Sequence, residues 1–215
     1  MKDSVRAILD ELITRYPQLK ASETDIAEAY EIMKHCYDNG GKLMIAGNGG
    51  SAADSEHIVG ELMKGFVRHR PLDEDFKARL KEVSEEEGGR IGEVLQGALP
   101  AIALTGHLAL TTAFANDADG TYAFAQQLFG YGRKGDVFLG ISTSGNSRNV
   151  TAAAVTAKAM GIEVIGLTGG SGGRLKCLAD CSIIVPSSET FKIQEMHLPV
   201  YHALCLMLEE TYFTS

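Results

Sequence analysis

Five short apolar runs, each followed by glycine or small polar residues, constrain the fold most strongly. They occupy residues 42–47, 101–105, 136–142, 163–168 and 182–186. Their apolar residues are continuous rather than alternating, which is typical of strands buried on both faces of a sheet. Helical patterns lie between them at 52–68, 107–132 and 147–160. This alternation predicts an open parallel α/β sheet with helices on both faces.

The flanking segments extend this pattern. Two helices, at 2–17 and 22–38, are predicted before the first strand, and another, at 189–212 with a kink at Pro199, after the last. A charge-dense segment at 71–96 interrupts the alternation, and we expect a short exposed helix, a lid or a solvated insertion there. The length of 215 residues and a hydrophobic content of 45% suit a single domain, 1–215.

The net charge of −8 disfavours binding to a nucleic-acid backbone, but a small anionic substrate remains compatible with it. The chain has no apolar run near 18 residues and no charged-then-apolar leader at Met1, so we expect a cytoplasmic protein without a membrane segment. Cys177 and Cys181 are spaced C-x₃-C without a second Cys/His pair nearby, and we interpret the four cysteines as structural.

Two polar loops follow predicted strands, where open parallel sheets bind ligands. Residues 47–51 combine glycines, which allow close approach, with the free N–H groups of a helix start. Residues 142–147 carry four hydroxyls, whereas capping a helix needs only one, so this loop suits a phosphate group. A third loop, 168–173, is interpreted as a flexible turn. None of them matches a Walker A or G-x-G-x-x-G pattern, so no nucleotide cofactor is predicted.

Histidines and carboxylates recur on two predicted helices. His57 and Glu61 are spaced i, i+4 on one helix face, with Asp54 nearby, and an exposed helix pair is the alternative to a functional role. His197 and His202 lie in the apolar C-terminal helix, where a buried core or interface histidine is the simpler interpretation. These residues alone leave both alternatives open.

Three motifs resemble those of a known family. "GNGGSAAD..H...EL", "GISTSGNS.NV" and "IQE.H....H" are similar to the SIS (sugar isomerase) domain, and within it to the sedoheptulose 7-phosphate isomerases, also called phosphoheptose isomerases. The resemblance covers nearly the whole chain apart from 71–96. It implies a doubly wound, flavodoxin-like sheet of five parallel strands. It also implies a homo-oligomer, with a tetramer favoured, whose active sites lie at subunit interfaces.

The resemblance also implies site residues. Its zinc ligands fall on His57, Glu61, Gln194 and His202. Its acid/base pair falls on Glu61 and His202. Its substrate-binding residues fall on Asn48, Gly49, Gly50, Ser51, Glu61, Asn116, Asp117, Ser142, Thr143, Ser144, Ser147 and Gln194. Gln194 and His202 are separated by roughly 12 Å of helix rise, so both reach one metal only if Gln194 lies at a frayed helix start or Pro199 bends the helix.

These residue types suit aldose–ketose isomerisation of a phosphorylated sugar. The reaction needs a base for the proton beside a carbonyl, an acid for the enediolate oxygen and stabilisation of negative charge, which a divalent metal supplies. Two alternatives remain. One is a non-catalytic SIS protein of the sugar-phosphate-sensing or replication-initiator-associating type; the other is an SIS enzyme of another kind, such as an amino-sugar phosphate lyase. The presence of both Glu61 and His202 favours the isomerase.

Overall fold

The computed structural model describes residues 1–213 and contains one parallel sheet. Its strands are β1 (Leu43–Ala46), β2 (Ala101–Ala103), β3 (Val137–Ser142), β4 (Glu163–Gly169) and β5 (Cys181–Val185). Their order is β2-β1-β3-β4-β5, and every neighbouring pair is parallel. This order confirms the predicted doubly wound, flavodoxin-like sheet, in which the strand order reverses between β1 and β3.

Ten α-helices flank the sheet in the described part of the chain. They are α1 (Asp3–Arg15), α2 (Glu23–Asp38), α3 (Gly50–Met63), α4 (Glu74–Val83), α5 (Glu85–Val94), α6 (Leu108–Asp117), α7 (Ala123–Tyr131), α8 (Arg148–Ala159), α9 (Gly173–Leu178) and α10 (Thr190–Tyr212). Helix α1 ends at Arg15, and Pro17 opens a short 3-10 turn before α2. Among residues 1–213, no helix has the length and apolar character needed to cross a bilayer.

Alternate strand residues build two separate cores. Leu43 and Ile45 of β1 face a core with α1, α2, α3 and α10, whereas Met44 and Ala46 face a core with α7, α8 and α9. Successive strand side chains point to opposite faces, so a continuous apolar run buries both sides of the sheet. The packing therefore holds α3 and α10 side by side on one face.

The charged segment 71–96 forms two helices, where at most one short helix was expected. Asp73 and Ser84 cap α4 and α5 by accepting hydrogen bonds from Phe76 N and Glu87 N. The helices pack against each other so closely that a Cβ at Gly88 would overlap the backbone of Leu80. We call residues 74–94 the helical hairpin. Most of its surface is exposed.

Two other expectations need correction. The segment 107–132 is not one helix, because a short 3-10 turn at Gly120–Tyr122 separates α6 from α7. The turn at 168–173 leads directly into α9, which the sequence pattern did not predict. The structural interpretation of the cysteines suits Cys36, Cys181 and Cys205, which are buried, whereas Cys177 is exposed.

Candidate active site

Three of the predicted catalytic and metal-ligating side chains meet where α3 and α10 lie side by side. His57 Nε2 lies 3.1 Å from Glu61 Oε1, since residues four apart share one face of α3. The rings of His57 and His202 contact edge to face, with their centroids 5.0 Å apart. Lys64 Nζ lies 3.4 Å from the other oxygen of Glu61. The pair on α3 is therefore not an isolated exposed helix pair.

His202 is enclosed by aromatic rings. The ring centroids of Tyr201 and Phe66 lie 5.0 Å and 5.3 Å from its own. Burial, reinforced by the neighbouring His57 and opposed by Glu61, lowers the pKa of His202. Its Nε2 is buried and has no hydrogen-bond partner among residues 1–213. A neutral imidazole with a free buried nitrogen suits proton transfer or metal binding.

A buried ion pair fixes the alignment of α3 and α10. The side chains of Arg70 and Glu209 are 0% and 1% exposed, and Arg70 Nε donates to Glu209 Oε1 over 2.9 Å. Arg70 also donates to the carbonyls of Leu62 and Glu61 at the end of α3. Glu209 accepts from the backbone N–H of Phe66, and these bonds together with Arg70 lower its pKa against the effect of burial. Sequence patterns gave no signal for this pair.

The two polar loops that follow β1 and β3 line a cavity of about 280 Å³. Its lining comprises Asn48, Gly49, Gly50, Ser51, Ile141, Ser142, Thr143, Ser147, Thr190 and Gln194. Gly49 adopts φ = +56°, which favours glycine, at the start of α3. The hydroxyls of Ser142 and Ser147 lie 2.9 Å apart across the loop. We call this space the loop cavity; it sits at the switch between β1 and β3, where such sheets bind ligands.

Two features missed by the sequence interpretation hold the loop cavity in shape. Asn48 and Asn149 exchange a reciprocal pair of amide hydrogen bonds, of 2.9 Å and 2.7 Å, which ties the first loop to α8. The turn at 168–173 supports the second loop, because Gly169 N donates to Thr143 O over 3.1 Å. That turn, expected to be flexible, therefore packs against the serine-rich loop.

The remaining predicted site residues do not belong to the cluster of His57, Glu61 and His202. Gln194 lies in the loop cavity, where its Nε2 would be 2.6 Å from a Cβ at Gly50, and roughly 12 Å along an unbroken α10 from His202. Ser144 is exposed beside the cavity rather than lining it. Asn116 and Asp117 lie at the exposed end of α6, outside the cavity, where Asn116 Nδ2 donates to Asp117 Oδ1 over 2.9 Å. Their roles toward substrate and metal remain predictions.

A metal ion at this site would be held by the side chains of His57, Glu61 and His202. Within residues 1–213, no three His, Cys, Asp or Glu side chains form a preassembled metal site. The donor types of His57, Glu61 and His202 nevertheless suit zinc, and the unpartnered His202 Nε2 is a buried nitrogen that a metal would satisfy. The donor atoms of these three side chains are therefore of the types that bind zinc.

Similarity to known proteins identifies the family to which this chain belongs. The model of the SIS domain matches residues 3–85 and 77–169, which together span most of the chain. The chain belongs to the SIS domain family. A phosphoheptose isomerase of Aneurinibacillus thermoaerophilus is 41% identical over 83% of this chain and 77% of the relative. One from Rhodospirillum rubrum is 36% identical over 98% of both chains.

Solved structures agree with this assignment. The phosphoheptose isomerase of Neisseria gonorrhoeae superposes with a TM-score of 0.73 at 32% identity, covering 97% of this chain and 98% of the other. That of Francisella tularensis gives 0.72 at 31% identity, covering 98% and 100%. This SIS domain therefore shares its fold with phosphoheptose isomerases over nearly its whole length.

Within the SIS domain, α10 connects the two halves of the site. Its first turns border the loop cavity through Thr190 and Gln194, and its middle carries His202. His202 also lines a second cavity, of about 130 Å³, between α10 and α1. His197, between the two halves, is fully buried and its Nε2 bonds to Thr168 O over 3.1 Å, which confirms the core interpretation of this histidine.

Proposed function

We propose that this chain is a phosphoheptose isomerase that interconverts sedoheptulose 7-phosphate and glycero-manno-heptose 7-phosphate. The observation that carries the proposal is the meeting of Glu61, His57 and His202 on two helices that also border a serine-rich loop cavity. The relatives named phosphoheptose isomerase at 36–41% identity support the substrate class. A binding protein without chemistry would not need the acid/base cluster.

The loop cavity is the proposed seat of the phosphate. The free N–H groups at the start of α3 and α8 and the hydroxyls of Ser142, Thr143 and Ser147 offer donors to its oxygens. From Gly50 to His57, α3 rises roughly 10 Å, which separates a phosphate at the loop from the acid/base cluster. An extended sugar phosphate suits this separation, because its carbonyl end lies far from its phosphate.

Glu61 and His202 are the proposed acid/base pair. Glu61 takes the proton from the carbon beside the carbonyl, and His202 gives a proton to the enediolate oxygen at the former carbonyl. Glu61 then returns its proton to the former carbonyl carbon, and His202 takes a proton from the hydroxyl on the neighbouring carbon, which becomes the new carbonyl. His202 suits this role because its lowered pKa favours the neutral ring, which carries one N–H donor and one free nitrogen. The two reacting carbons belong to one substrate molecule. Binding its phosphate in the loop cavity therefore also positions these carbons against Glu61 and His202.

Zinc is the proposed cofactor, one ion per subunit. His57, Glu61 and His202 would hold it, with Gln194 as the fourth predicted ligand. When bound, it would polarise the carbonyl and stabilise negative charge on the enediolate. Gln194 lines the loop cavity, and its part in the zinc site stays a prediction.

A homotetramer located in the cytoplasm is also proposed. Helix α6 is apolar yet has no buried residue, and Leu108 at its start is 75% exposed. The same helix ends in Asn116 and Asp117, which the single chain leaves outside the loop cavity. Contact between subunits through this helix would cover apolar surface and supply both residues to a site.

The testing experiment is an NMR assay of the purified chain with sedoheptulose 7-phosphate, with and without added zinc. Glu61→Gln is expected to lower kcat about 10³-fold while the phosphosugar still binds, because it removes the base and keeps the shape. Glu56→Gln, a neighbouring carboxylate on α3, is the matched control. Binding of the phosphosugar without turnover in the unaltered chain would instead favour the sensor.

A further inference from the structure

A groove beside α8 lies apart from the cavities of the proposed active site. It has a volume of about 350 Å³, and residues of the 3-10 turn at Gly120–Tyr122, of α8 and of α9 line it. Two arginines, Arg148 and Arg174, are the charged side chains of this lining. We call this space the arginine groove. In the described part of the chain it shares no lining residue with the loop cavity or with the cavity between α10 and α1.

These two arginines differ from the other arginines of the chain in their surroundings. Arg133 donates to backbone carbonyls, and Arg79 stands over the ring of Phe76. Five arginines form ion pairs with carboxylates, namely Arg6, Arg15, Arg68, Arg70 and Arg90. Within residues 1–213, the guanidinium groups of Arg148 and Arg174 form no ion pair, hydrogen bond or aromatic contact. Two unpaired cations therefore line one groove of a chain whose net charge is −8.

The carboxylate of Asp119 stands near Arg148 and limits the positive charge of the groove. Asp119 Oδ1 accepts a hydrogen bond from Thr121 N over 2.8 Å. This bond, with a smaller contribution from the charge of Arg148, lowers the pKa of Asp119, so the carboxylate is ionised at neutral pH. Its charge offsets at most one of the two guanidinium charges. Arg148 and Arg174 together therefore leave the groove positive.

We propose that the arginine groove is a second phosphate-binding site, which takes a phosphorylated small molecule and is separate from the proposed phosphate seat in the loop cavity. A guanidinium group presents paired N–H donors whose spacing matches two oxygens of one phosphate. Tyr122 and Val155, which are 46% and 52% exposed, add apolar surface for the organic part of the molecule. A volume of about 350 Å³ falls within the usual range of small-molecule sites.

The arginine groove and the loop cavity lie on two sides of the serine-rich loop. Ser147 lines the loop cavity, and the next residue in the chain, Arg148, lines the groove. From the side of α9, Arg174 N donates to Asn146 Oδ1 of the same loop over 3.1 Å. Phosphates bound at both sites repel each other across this loop. A ligand in the groove should therefore weaken substrate binding without preventing it, and substrate should weaken binding of the ligand by the same factor.

The competing interpretation is that the two arginines only add charge to a solvated surface. Arg148→Gln and Arg174→Gln separate the two interpretations, because glutamine keeps a polar side chain and removes the guanidinium group. Arg79→Gln is the matched control, since it changes the net charge equally but lies on the helical hairpin, where Arg79 contacts Phe76.

The first measurement is isothermal titration calorimetry of the full-length chain with inorganic phosphate, ADP and sedoheptulose 7-phosphate as probes. We expect ADP to bind more tightly than inorganic phosphate, because its base and ribose cover Tyr122 and Val155. Arg148→Gln and Arg174→Gln should each weaken ADP binding about tenfold or more, since each removes hydrogen bonds to a charged group. Arg79→Gln should leave it unchanged. A larger loss with sedoheptulose 7-phosphate than with ADP would identify a sugar phosphate as the ligand of the groove.

The second measurement is the KM for sedoheptulose 7-phosphate at increasing concentrations of ADP. Two separate sites can be occupied at once, so KM should rise to a plateau while kcat stays the same. In the double variant Arg148→Gln, Arg174→Gln, ADP should no longer change KM. This readout rests on the proposed function, whereas the calorimetry does not. If the chain has no isomerase activity, the same plateau is sought in the Kd of sedoheptulose 7-phosphate.

Three results would overturn the second site. The probes could bind the double variant as tightly as the unaltered chain, or Arg79→Gln could weaken binding as much as the groove variants do. The third result is a KM that rises with ADP without limit, which means that both ligands compete for the loop cavity. A KM that ADP leaves unchanged, with binding that depends on the arginines, would keep the site and overturn the repulsion across the loop.

The outcomes also separate this proposal from the proposed function. Binding of ADP that depends on both arginines, in a chain that does not isomerise sedoheptulose 7-phosphate, supports the groove and contradicts only the proposed function. Arg148 and Arg174 are exposed and lie on different helices, so each single variant decides the question if the other fails to fold.

Discussion

The site has two walls, built in opposite ways. The helical wall, α3 and α10, presents His57, Glu61 and His202 on long elements joined by a fully buried ion pair. The loop wall, which borders the loop cavity, presents backbone N–H groups and hydroxyls on short segments that contain glycine. Proton transfer requires side chains held to within a fraction of an ångström, whereas a phosphate is satisfied by many donors. The side chains proposed to transfer protons therefore stand on long helices, and the proposed phosphate donors stand on loops.

The largest effect is expected from a substitution that disrupts the helical wall. Arg70→Met should lower the free energy of unfolding by about 3–5 kcal/mol, because it leaves the carboxylate of Glu209 buried without its cation. Chemical denaturation measures this change. The control is Arg68→Met, which breaks the neighbouring pair with Glu210, in which the Arg68 side chain is 40% exposed; a loss below about 1 kcal/mol is expected there. Equal losses of unfolding free energy in the two variants would contradict the role of Arg70 in fixing α3 against α10.

A second test concerns how the helical wall is attached to the sheet. Burial lowers the pKa of His197 from 6.5 to about 4, while its bond to Thr168 acts against the shift. The native state thus binds this proton less readily than the unfolded chain does. Its contribution to stability is present above pH 6.5 and is lost as the pH falls toward about 4, by about 3 kcal/mol in all.

The measurement is the free energy of unfolding between pH 7 and pH 4. His197→Gln, which retains a donor for Thr168 but does not titrate, should flatten this part of the profile. His35→Gln, at an exposed position of α2, should leave the slope as it is. An identical slope in His197→Gln and the unaltered chain would show that other groups dominate the acid response.

The smallest expected effect concerns the loop wall. Ser147→Ala removes one hydroxyl that contacts Ser142, and because several donors share the phosphate, KM should rise only about 3- to 10-fold with kcat unchanged. Steady-state kinetics with sedoheptulose 7-phosphate measures it. Ser171→Ala, on the exposed supporting turn, is the control and should leave KM unaltered. A large fall in kcat in Ser147→Ala would mean that the loop wall also positions the reacting atoms.

Much of the fold could be predicted from the sequence because buried parallel strands are recognisable locally. Each of the five apolar runs forms a strand, and the loops after β1 and β3 line one cavity as the geometry of such sheets requires. The helical hairpin was predicted less well, because a charge-dense segment gives little apolar periodicity even when its two helices are well capped.

The site was predicted in part. The resemblance of three motifs to the SIS domain singled out His57, Glu61 and His202, which the structure places together, but it gave no indication of the partners that depend on contacts far apart in sequence. Arg70 with Glu209 and Asn48 with Asn149 each join elements more than 100 residues apart. Gln194, which was predicted both to bind substrate and to ligate the metal, lines the loop cavity, and its two roles stay predictions.

The base of the helical hairpin has a consequence for how this chain tolerates change. Pro71 and Gln96 form an antiparallel bridge, and Gly97 N donates to Arg70 O over 2.7 Å, so the two ends of the segment already touch. The conformational entropy lost on closing a chain between two fixed ends rises only slowly with the number of residues inserted. Natural variation or engineering can therefore replace the helical hairpin with another segment. Such a change alters the surface of the isomerase and leaves its sheet and the helices around the site as they are.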